Sequence, residues 1–277
     1  MAGLLGESES QKIKSFDTLC AYLRRTSGLV VDADKRYLVE SRVTPVMQRA
    51  GLSGLSELVR LLEQGRMPDL AQEVVQAMTI NETYFFRDGG PFDVLRKVLP
   101  KLVMARAAQK TLRFWSAAAS TGQEAYSIAM IINDFAPAMA TWRVEIFGTD
   151  LSQAALSKAQ EARYSQFEVQ RGLSSQQIKR YFNPVGSSFQ LKDEIKSRVK
   201  FKQFNLLNPY TSFGQFDVIF CRNVLIYFEP ERKADILNRM TQQLARDGLV
   251  ALGASESIIG LNTKLKPHAE HRGFFTL

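Results

Sequence analysis

Two features of the sequence are best suited to binding or chemistry: a loop of very small side chains and an aspartate that follows it along the chain. The segment FWSAAASTGQE (114–124) passes through that loop from a buried strand into a helix. The next predicted strand, RVEIFGTD, ends on Asp150. Ligands of open α/β sheets bind at the carboxyl ends of the strands. The pattern therefore predicts a small-molecule site at this edge of a sheet.

The position of Asp150 favours a nucleoside ligand. An acidic residue at the end of the second strand accepts hydrogen bonds from both hydroxyls of a ribose. The alternative is that Asp150 only caps the helix that starts after Ser152. The loop lacks the G-x-G-x-x-G pattern that brings backbone close to a pyrophosphate. A nucleoside without phosphates on such a sheet suggests S-adenosylmethionine.

The elements that position these residues fall into two regions. From Ser15 to Met78, apolar residues recur at three- and four-residue spacing, which predicts about four helices. Beyond residue 92, strands alternate with helices, as in a mostly parallel, doubly wound sheet. We therefore predict an α/β protein with a small all-α domain over 1–80, a linker over 81–92 and a binding domain over 93–277.

The positive charge of the chain is local. The net charge is +8, with 36 Lys and Arg against 28 Asp and Glu. Residues 1–90 hold 11 basic and 12 acidic residues, whereas residues 151–210 hold 10 basic and 4 acidic residues. An insertion at about 165–199, with a small β element, interrupts the alternation there. Clustered positive charge indicates an acidic partner.

The composition narrows the chemistry and the location. His268 and His271 are the only histidines, so zinc sites and histidine-based proton relays would have to form there. Their HAEH spacing is more typical of a solvated turn, and we expect no metal. No apolar run is long enough to cross a bilayer, and MAGLLGESES lacks the features of a signal peptide. We expect a cytoplasmic protein with free thiols at Cys20 and Cys221.

These motifs resemble the chemotaxis receptor methyltransferases, the CheR family of protein-glutamate O-methyltransferases. The resemblance implies a class I S-adenosylmethionine-dependent methyltransferase fold with an inserted β subdomain. It covers nearly the whole chain and rests on five segments in order: NETYFFR (81–87), WSAAASTGQEAYSIAM (115–130), GTD (148–150), FNLL (204–207) and FDVIFCRNVLIYF (216–228).

The resemblance implies a set of cofactor-binding residues: Asn81, Thr83, Arg87, Glu124, Asp150, Asn205, Leu206, Asn223 and Val224. Arg87 offers forked donors to the α-carboxylate of the cofactor. Glu124, at the start of a helix, pairs with the ammonium group of the cofactor, and Asp150 holds the ribose. Asn205 and Leu206 contact the adenine.

Asn223 and Val224 line the floor beside the methyl group. Arg222 and Tyr227, near the tip of the same segment, are candidates for orienting the incoming carboxylate, although both roles could equally be structural.

The implied reaction requires no general base. A glutamate side chain, with an ordinary pKa of about 4.3, is already an oxygen nucleophile at neutral pH. The sulfonium of S-adenosylmethionine is an activated electrophile, and S-adenosyl-L-homocysteine is the product. The protein then has to align the reacting atoms and exclude water.

The implied partner is the cytoplasmic helical domain of chemoreceptors, with methylation setting adaptation. Lys35, Arg42 and Arg49 are spaced by seven, share a helix face and are candidates for this contact; a solvated face is an equal alternative. In some relatives the β subdomain captures a receptor's C-terminal peptide as an added strand. The loop NPVGSSFQL looks shorter here, so we expect no obligatory tether.

Two rival functions remain at this point. A nucleic-acid methyltransferase would use the positive charge for phosphate contacts, but the helical region is neutral and lacks an aromatic basic platform. A non-catalytic module would not need the full set of cofactor residues. We expect a monomer that binds no nucleic acid and inserts into no membrane.

Overall fold

The computed structural model describes residues 8–277, apart from the side chain of Ala136. Most of the segment MAGLLGESES, on which the signal-peptide argument rests, lies outside the described residues. The chain divides into two units. One ends at Ile80 and also takes in residues 227–229, and the other consists of residues 81–226 and 230–277.

The first unit is helical, which confirms the predicted all-α N-terminal domain. Ser8 begins the first helix through a reciprocal capping box with Gln11, and Gly28 ends it in a left-handed conformation. Pro68 starts the fourth helix, where its missing N–H has no intrahelical partner to lose. The helices are α1 (Glu9–Ser27), α2 (Arg36–Arg49), α3 (Leu55–Glu63) and α4 (Pro68–Met78), with a 3-10 turn at Ala33–Lys35.

The second unit is built on a seven-stranded sheet, and the predicted doubly wound architecture is confirmed. Its strands are β1 (Thr111–Ala117), β2 (Arg143–Asp150), β6 (Val199–Gln203), β7 (Phe216–Cys221), β8 (Leu244–Leu252), β9 (Lys266–Pro267) and β10 (Phe274–Thr276). The order is β6-β2-β1-β7-β8-β10-β9. The first five strands in this order are parallel to one another, and β10 runs antiparallel to both β8 and β9.

Helices connect the parallel strands, because a parallel pair needs a crossover. They are α5 (Gly90–Ala105), α6 (Gln123–Asp134), α7 (Gln153–Glu161) and α11 (Pro230–Gln242), with 3-10 turns at Ala136–Met139 and Leu225–Tyr227. Along β1 the consecutive residues Phe114, Trp115 and Ser116 are all fully buried. This explains why the strand is a continuous apolar run rather than an alternating one.

The register of the sheet gathers three loops at one edge. Ala117, the last residue of β1, lies opposite Thr149 of β2 on one side and Cys221 of β7 on the other. The chain order reverses between β1 and β7, which makes this the switch point where open α/β sheets bind ligands. The loop after β1, Asp150 and Arg222 therefore leave the sheet together.

The alternation is interrupted by a small antiparallel sheet, where the sequence predicts an inserted β element. It contains β3 (Arg163–Ser165), β4 (Phe182–Val185) and β5 (Ser188–Leu191) in the order β3-β5-β4, with α8 (Gln166–Gln170), α9 (Ser175–Tyr181) and α10 (Asp193–Lys196) around it. A two-residue turn at Gly186 joins β4 to β5. In the part of the chain that the structure describes, no helix is long and apolar enough to span a membrane.

Candidate active site

The loop after β1 is held in an unusual backbone conformation. Ala118, Ser120 and Gly122 all adopt positive φ angles, of 62°, 51° and 95°. A Cβ atom at Gly122 would lie 2.9 Å from the Cβ of Ala159, so a larger residue does not fit. The Ser120 hydroxyl donates to the carbonyl of Asn81 at 2.7 Å. These contacts fix the loop, and left-handed conformations away from glycine persist only where the surroundings enforce them.

Asp150 is buried at the edge of this loop, with 7% of its surface exposed. Its Oδ2 accepts from the N–H of Ser120 and its Oδ1 from the N–H of Ser152, both at 2.8 Å. Burial raises the pKa of Asp150, and the backbone hydrogen bonds oppose that rise. A carboxylate has roughly four acceptor positions, so Asp150 retains capacity for the two hydroxyls of a ribose.

The helix after β2 has a different cap. Ser152 is the N-cap residue of α7, and its hydroxyl accepts from the N–H of Ala155 at 3.2 Å. Asp150 therefore does not serve as the N-cap, which weakens the alternative interpretation of this carboxylate.

A buried guanidinium links two further carboxylates. Nη1 of Arg222 donates to Oε2 of Glu124 at 2.8 Å, and Nη2 donates to Oδ2 of Asp88 at 2.7 Å and to the carbonyl of Arg87 at 2.9 Å. The hydroxyl of Ser116 donates to Oε1 of Glu124 at 2.8 Å. Burial raises the pKa of Glu124, while Arg222 opposes the rise. With both carboxylates ionised, the cluster is net negative and suits a cationic ligand.

The environment of Arg222 bears on its predicted role. Its side chain is only 1% exposed, and both Nη atoms are engaged within the protein. Its Nε has no hydrogen-bond partner within the described residues. Arg222 thus ties α6 to the segment around Asp88, while its proposed contact with a substrate carboxylate stays a prediction. Asp88 was missed by the sequence reasoning, although it directly follows Arg87.

The segment 81–90 is anchored by an aromatic side chain. Phe85 is fully buried and meets the rings of Tyr164 and Phe182 edge-on, at 5.1 and 5.6 Å between centroids. Gly172 packs against its backbone so closely that a Cβ atom there would lie 1.8 Å from the Phe85 carbonyl oxygen. The inserted subdomain therefore supports the segment that carries Arg87.

Arg87 lies half-buried in the same segment. Its Nη1 donates to the carbonyl of Glu82 at 2.7 Å, and its guanidinium lies 5.7 Å from the ring of Tyr84. Asn81 and Thr83 belong to this segment, and the Asn81 carbonyl holds the loop after β1. The structure thus brings Asn81, the first of the predicted linker residues, to the loop that follows β1.

Asn205 and Leu206 form the turn that follows β6. The Oδ1 of Asn205 accepts from the N–H of Leu207 at 2.9 Å, and the carbonyl of Leu206 accepts from the hydroxyl of Tyr210 at 2.8 Å. The preceding N–H, of Phe204, donates to the carbonyl of Asp150 at 2.8 Å. The predicted adenine-binding turn is therefore next to the predicted ribose-binding residue.

Asn223 and Val224 follow Arg222 at the end of β7. Asn223 is left-handed, with φ of 58°. The N–H groups of both residues donate to the carboxylate of Glu256, at 2.8 and 2.9 Å. Glu256 was not singled out from the sequence, where only its place shortly after the apolar strand GLVALGA marks it.

The other predicted residues belong to the helical unit. Nη1 of Arg42 donates to the carbonyls of Met78 and Thr79, both at 3.3 Å. Nη2 of Arg49 lies 3.5 Å from Oε2 of Glu73. The carbonyl of Tyr227 accepts from the N–H of Val30 at 3.0 Å.

The expected three-residue helix face needs one correction. Arg42 and Arg49 lie on α2, but Lys35 ends the 3-10 turn before it. Lys35 is held there because its N–H donates to the carbonyl of Asp32 and its ammonium to the Asp32 carboxylate, at 2.9 and 2.7 Å.

The two histidines form a small stacked pair near the C-terminus. Their ring centroids are 4.6 Å apart, and Nδ1 of His268 accepts from the N–H of Glu270 at 3.1 Å. Among the described residues, no group of three or more His, Cys, Asp or Glu side chains is arranged to hold a metal ion.

The residues at the switch point fit S-adenosylmethionine. The loop of small residues gives access to backbone, Asp150 suits a ribose, and the cluster around Arg222 suits the cationic end of the molecule. The sheet and this site define the class as an S-adenosylmethionine-dependent methyltransferase.

Two family models cover almost the whole chain. One, described as CheR methyltransferase, SAM binding domain, matches residues 81–274, and another, CheR methyltransferase, all-alpha domain, matches residues 14–79. The chain belongs to the CheR family of methyltransferases and acts in chemotaxis with S-adenosylmethionine as methyl donor.

Curated relatives match over nearly their full length. The chain is 42% identical to chemotaxis protein methyltransferase Cher2 of Pseudomonas putida, across 89% of this chain and 91% of that protein. It is 43% identical to chemotaxis protein methyltransferase 1 of Pseudomonas aeruginosa, over the same shares. For chemotaxis protein methyltransferase 1 of Vibrio cholerae the identity is 40%, across 91% of this chain and 92% of that protein.

Proposed function

We propose that this methyltransferase converts glutamate side chains of chemoreceptors into methyl esters. The observation that carries the proposal is the set of carboxylates at the switch point, beside the loop after β1, of which Asp150 and Glu124 are buried. Asp150, Glu124 and Asp88 supply the charge and hydrogen-bond acceptors that a sulfonium nucleoside needs. The family membership supports a protein of the chemotaxis system as the acceptor of the methyl group.

A carboxylate acceptor suits the residues at this site. S-adenosylmethionine supplies an activated methyl group. A lone pair of a carboxylate oxygen forms the new C–O bond, and the electron pair of the broken C–S bond goes to sulfur. No proton moves, and no base has to take one. His268 and His271 lie in the connection between β9 and β10, and β8 separates these strands from β7. The chain's contribution is alignment and exclusion of water.

Most of the proposed contacts hold the nucleoside and the amino-acid end of the cofactor. Asp150 binds the ribose hydroxyls, Glu124 binds the ammonium group, and Arg87 binds the α-carboxylate of the cofactor. Asn81 and Thr83 hold the methionine end from the linker, and Asn205 and Leu206 border the adenine.

The remaining proposed contacts lie at the reacting end of the site. Asn223 and Val224 form the floor beside the methyl group. Tyr227 and Arg222 orient the acceptor carboxylate, Arg222 through the elements that it connects.

A substrate that presents glutamate carboxylates is attracted by basic residues. Arg42 and Arg49 present positive charge from α2, with Lys35 just before it, and residues 151–210 add further positive charge. The β4–β5 turn is only two residues long, which supports methylation without an obligatory C-terminal peptide tether. Removal of the last residues of the receptor is expected to leave the methylation rate within about twofold of the rate for the intact receptor, a change of about 0.4 kcal/mol.

The proposal is tested by methyl transfer from labelled S-adenosylmethionine. Purified protein is incubated separately with cytoplasmic fragments of chemoreceptors and with bulk RNA. We expect label on the receptor fragment that mild base releases, because esters hydrolyse and methylamines do not. Label on RNA alone, or base-stable label on the receptor, would overturn the proposal. Size-exclusion chromatography of the protein tests the accompanying expectation of a monomer.

A further inference from the structure

One carboxylate joins the loops that follow β7 and β8. The side chain of Glu256 accepts from the backbone N–H groups of Asn223, Val224 and Leu225, at 2.8, 2.9 and 2.7 Å. It also accepts from the N–H of Gly253 at 2.6 Å. The last β7 residue and Glu256 are distant in sequence, so this contact is made only by the folded sheet.

These four donors match the acceptor capacity of a carboxylate, which is roughly four hydrogen bonds. Successive N–H groups that point inward form a concave site for an anion, and charge-assisted bonds of this kind are the strong ones. Here the anion belongs to the chain itself. Asn223 has a left-handed φ of 58°, a conformation that a non-glycine residue keeps only where its surroundings enforce it.

The close packing leaves no room for a side chain at Gly253. A Cβ atom there would lie 2.7 Å from Oε2 of Glu256 and 2.9 Å from the backbone nitrogen of Asn223. The glycine and the glutamate therefore act together. Gly253 leaves the space that the Glu256 carboxylate occupies.

The segment whose N–H groups bind Glu256, Asn223–Leu225, directly follows Arg222. It lies at the edge of the sheet where the predicted cofactor-binding residues meet. Cys221 lies opposite Ala117 in the register, so Asn223–Leu225 and the loop after β1 leave neighbouring strands on the same side. The backbone that Glu256 fixes is thus the backbone assigned to the floor beside the methyl group.

We propose that Glu256 is a positioning residue for methyl transfer. Its carboxylate sets the conformation of Asn223–Leu225, and through them the alignment of the methyl group with the acceptor. This inference rests on the proposed function, since the alignment matters only if the methyl group is transferred at that place. Glu256 itself touches neither reactant.

The test uses Glu256→Gln and Gly253→Ala in the full chain. The glutamine keeps one acceptor oxygen and turns an NH2 group toward N–H donors, whereas the alanine keeps the carboxylate but displaces it. Glu231→Gln, at an exposed position in the first turn of α11, is the matched control. For each protein we would measure hydrogen exchange of residues 222–226, binding of S-adenosylhomocysteine, and kcat on a receptor fragment per binding site.

Both variants are expected to speed amide exchange at residues 223–225 at least tenfold. They are expected to lower kcat about thirtyfold to a hundredfold, as a misplacement of about 1 Å does. The dissociation constant of S-adenosylhomocysteine should stay within about threefold of the wild-type value, because Asp150 and the Arg222 cluster are untouched; threefold is about 0.65 kcal/mol. The control should match the wild type in all three measurements.

Unchanged exchange, or wild-type kcat in Glu256→Gln, would overturn the inference. So would a fall in turnover that only mirrors a fall in the number of binding sites, because that is the signature of general unfolding. A wild-type protein that transfers no methyl group to any receptor fragment would overturn the proposed function instead. The exchange measurement would still decide whether Glu256 holds the segment.

Discussion

Arg222 and Glu124 form a buried ion pair, with 2.8 Å between Nη1 and Oε2, that joins the end of β7 to the start of α6. The same guanidinium reaches Asp88 and the carbonyl of Arg87. The helix behind the small-residue loop and the segment that carries Arg87 are therefore held by one side chain. Such a shared partner couples two elements that carry residues proposed to bind the cofactor.

Arg222→Lys should separate these parts. A lysine ammonium is a point charge that cannot satisfy Glu124, Asp88 and the Arg87 carbonyl in the geometry of the guanidinium. Glu124, the buried carboxylate of the cluster, then loses its guanidinium partner, which costs about 3 kcal/mol or more. We expect the free energy of unfolding to fall by about that amount in urea denaturation. We also expect weaker binding of S-adenosylhomocysteine.

Arg246→Lys is the control for this exchange, because Arg246 is exposed on β8. It should leave both quantities unchanged. If Arg222→Lys were as stable as Arg246→Lys, the buried ion pair would not hold these elements together.

Asp150→Ala should weaken binding of S-adenosylhomocysteine by a few kcal/mol, since charge-assisted hydrogen bonds to the ribose are lost. Titration calorimetry of the variant and the wild type measures the difference. Asp69→Ala, in the first turn of α4, removes a carboxylate from the helical unit and serves as the control. Equal affinities of Asp150→Ala and the wild type would contradict the assignment of the ribose to Asp150.

The affinity for S-adenosylhomocysteine should depend on pH. Burial raises the pKa of Asp150 and of Glu124 above the ordinary carboxyl values. Both groups bind the ligand in their ionised form, so protonation as the pH falls removes affinity. The loss should therefore begin at a higher pH than for ordinary carboxyl groups, which titrate at about pH 4. Calorimetry between about pH 8 and about pH 4 should show weakening toward the acid side, and a constant affinity would contradict these carboxylate roles.

Gly172→Ala tests the support that the inserted subdomain gives to Phe85. Gly172 has φ of 108°, and a Cβ atom there would lie 1.8 Å from the Phe85 carbonyl oxygen. Gly186→Ala also places alanine at positive φ, 59°, but in open space, so it isolates the backbone penalty from the clash. We expect the melting temperature and the S-adenosylhomocysteine affinity to fall further in Gly172→Ala. Equal effects of the two substitutions would show that the contact with Phe85 does not matter.

The local elements were largely predictable from the sequence. β1 and β2 span Thr111–Ala117 and Arg143–Asp150, as their apolar runs predict, because buried parallel strands have a strong local pattern. The sequence also predicts a helix over 230–245, but this helix ends at Gln242, since Leu244 already belongs to β8. The predicted fold class is confirmed as a whole.

The connections within the site were not predictable in the same way. Arg222 meets Glu124 and Asp88 across 98 and 134 positions of sequence, and Asn223 meets Glu256 across 33. A charged residue after a buried strand gives no local sign of whether it turns inward or toward water. Its partner is set by strand order and register, which single-sequence patterns do not contain.

Peptide mapping of a methylated receptor fragment shows directly whether the methyl group is transferred to glutamate side chains. A cytoplasmic chemoreceptor fragment is incubated with the protein and S-adenosylmethionine, digested, and analysed by tandem mass spectrometry before and after mild base treatment. We expect methyl groups on glutamate side chains that disappear with base. Methyl groups on lysine or arginine nitrogen, or no methylated glutamate in any receptor fragment, would contradict it.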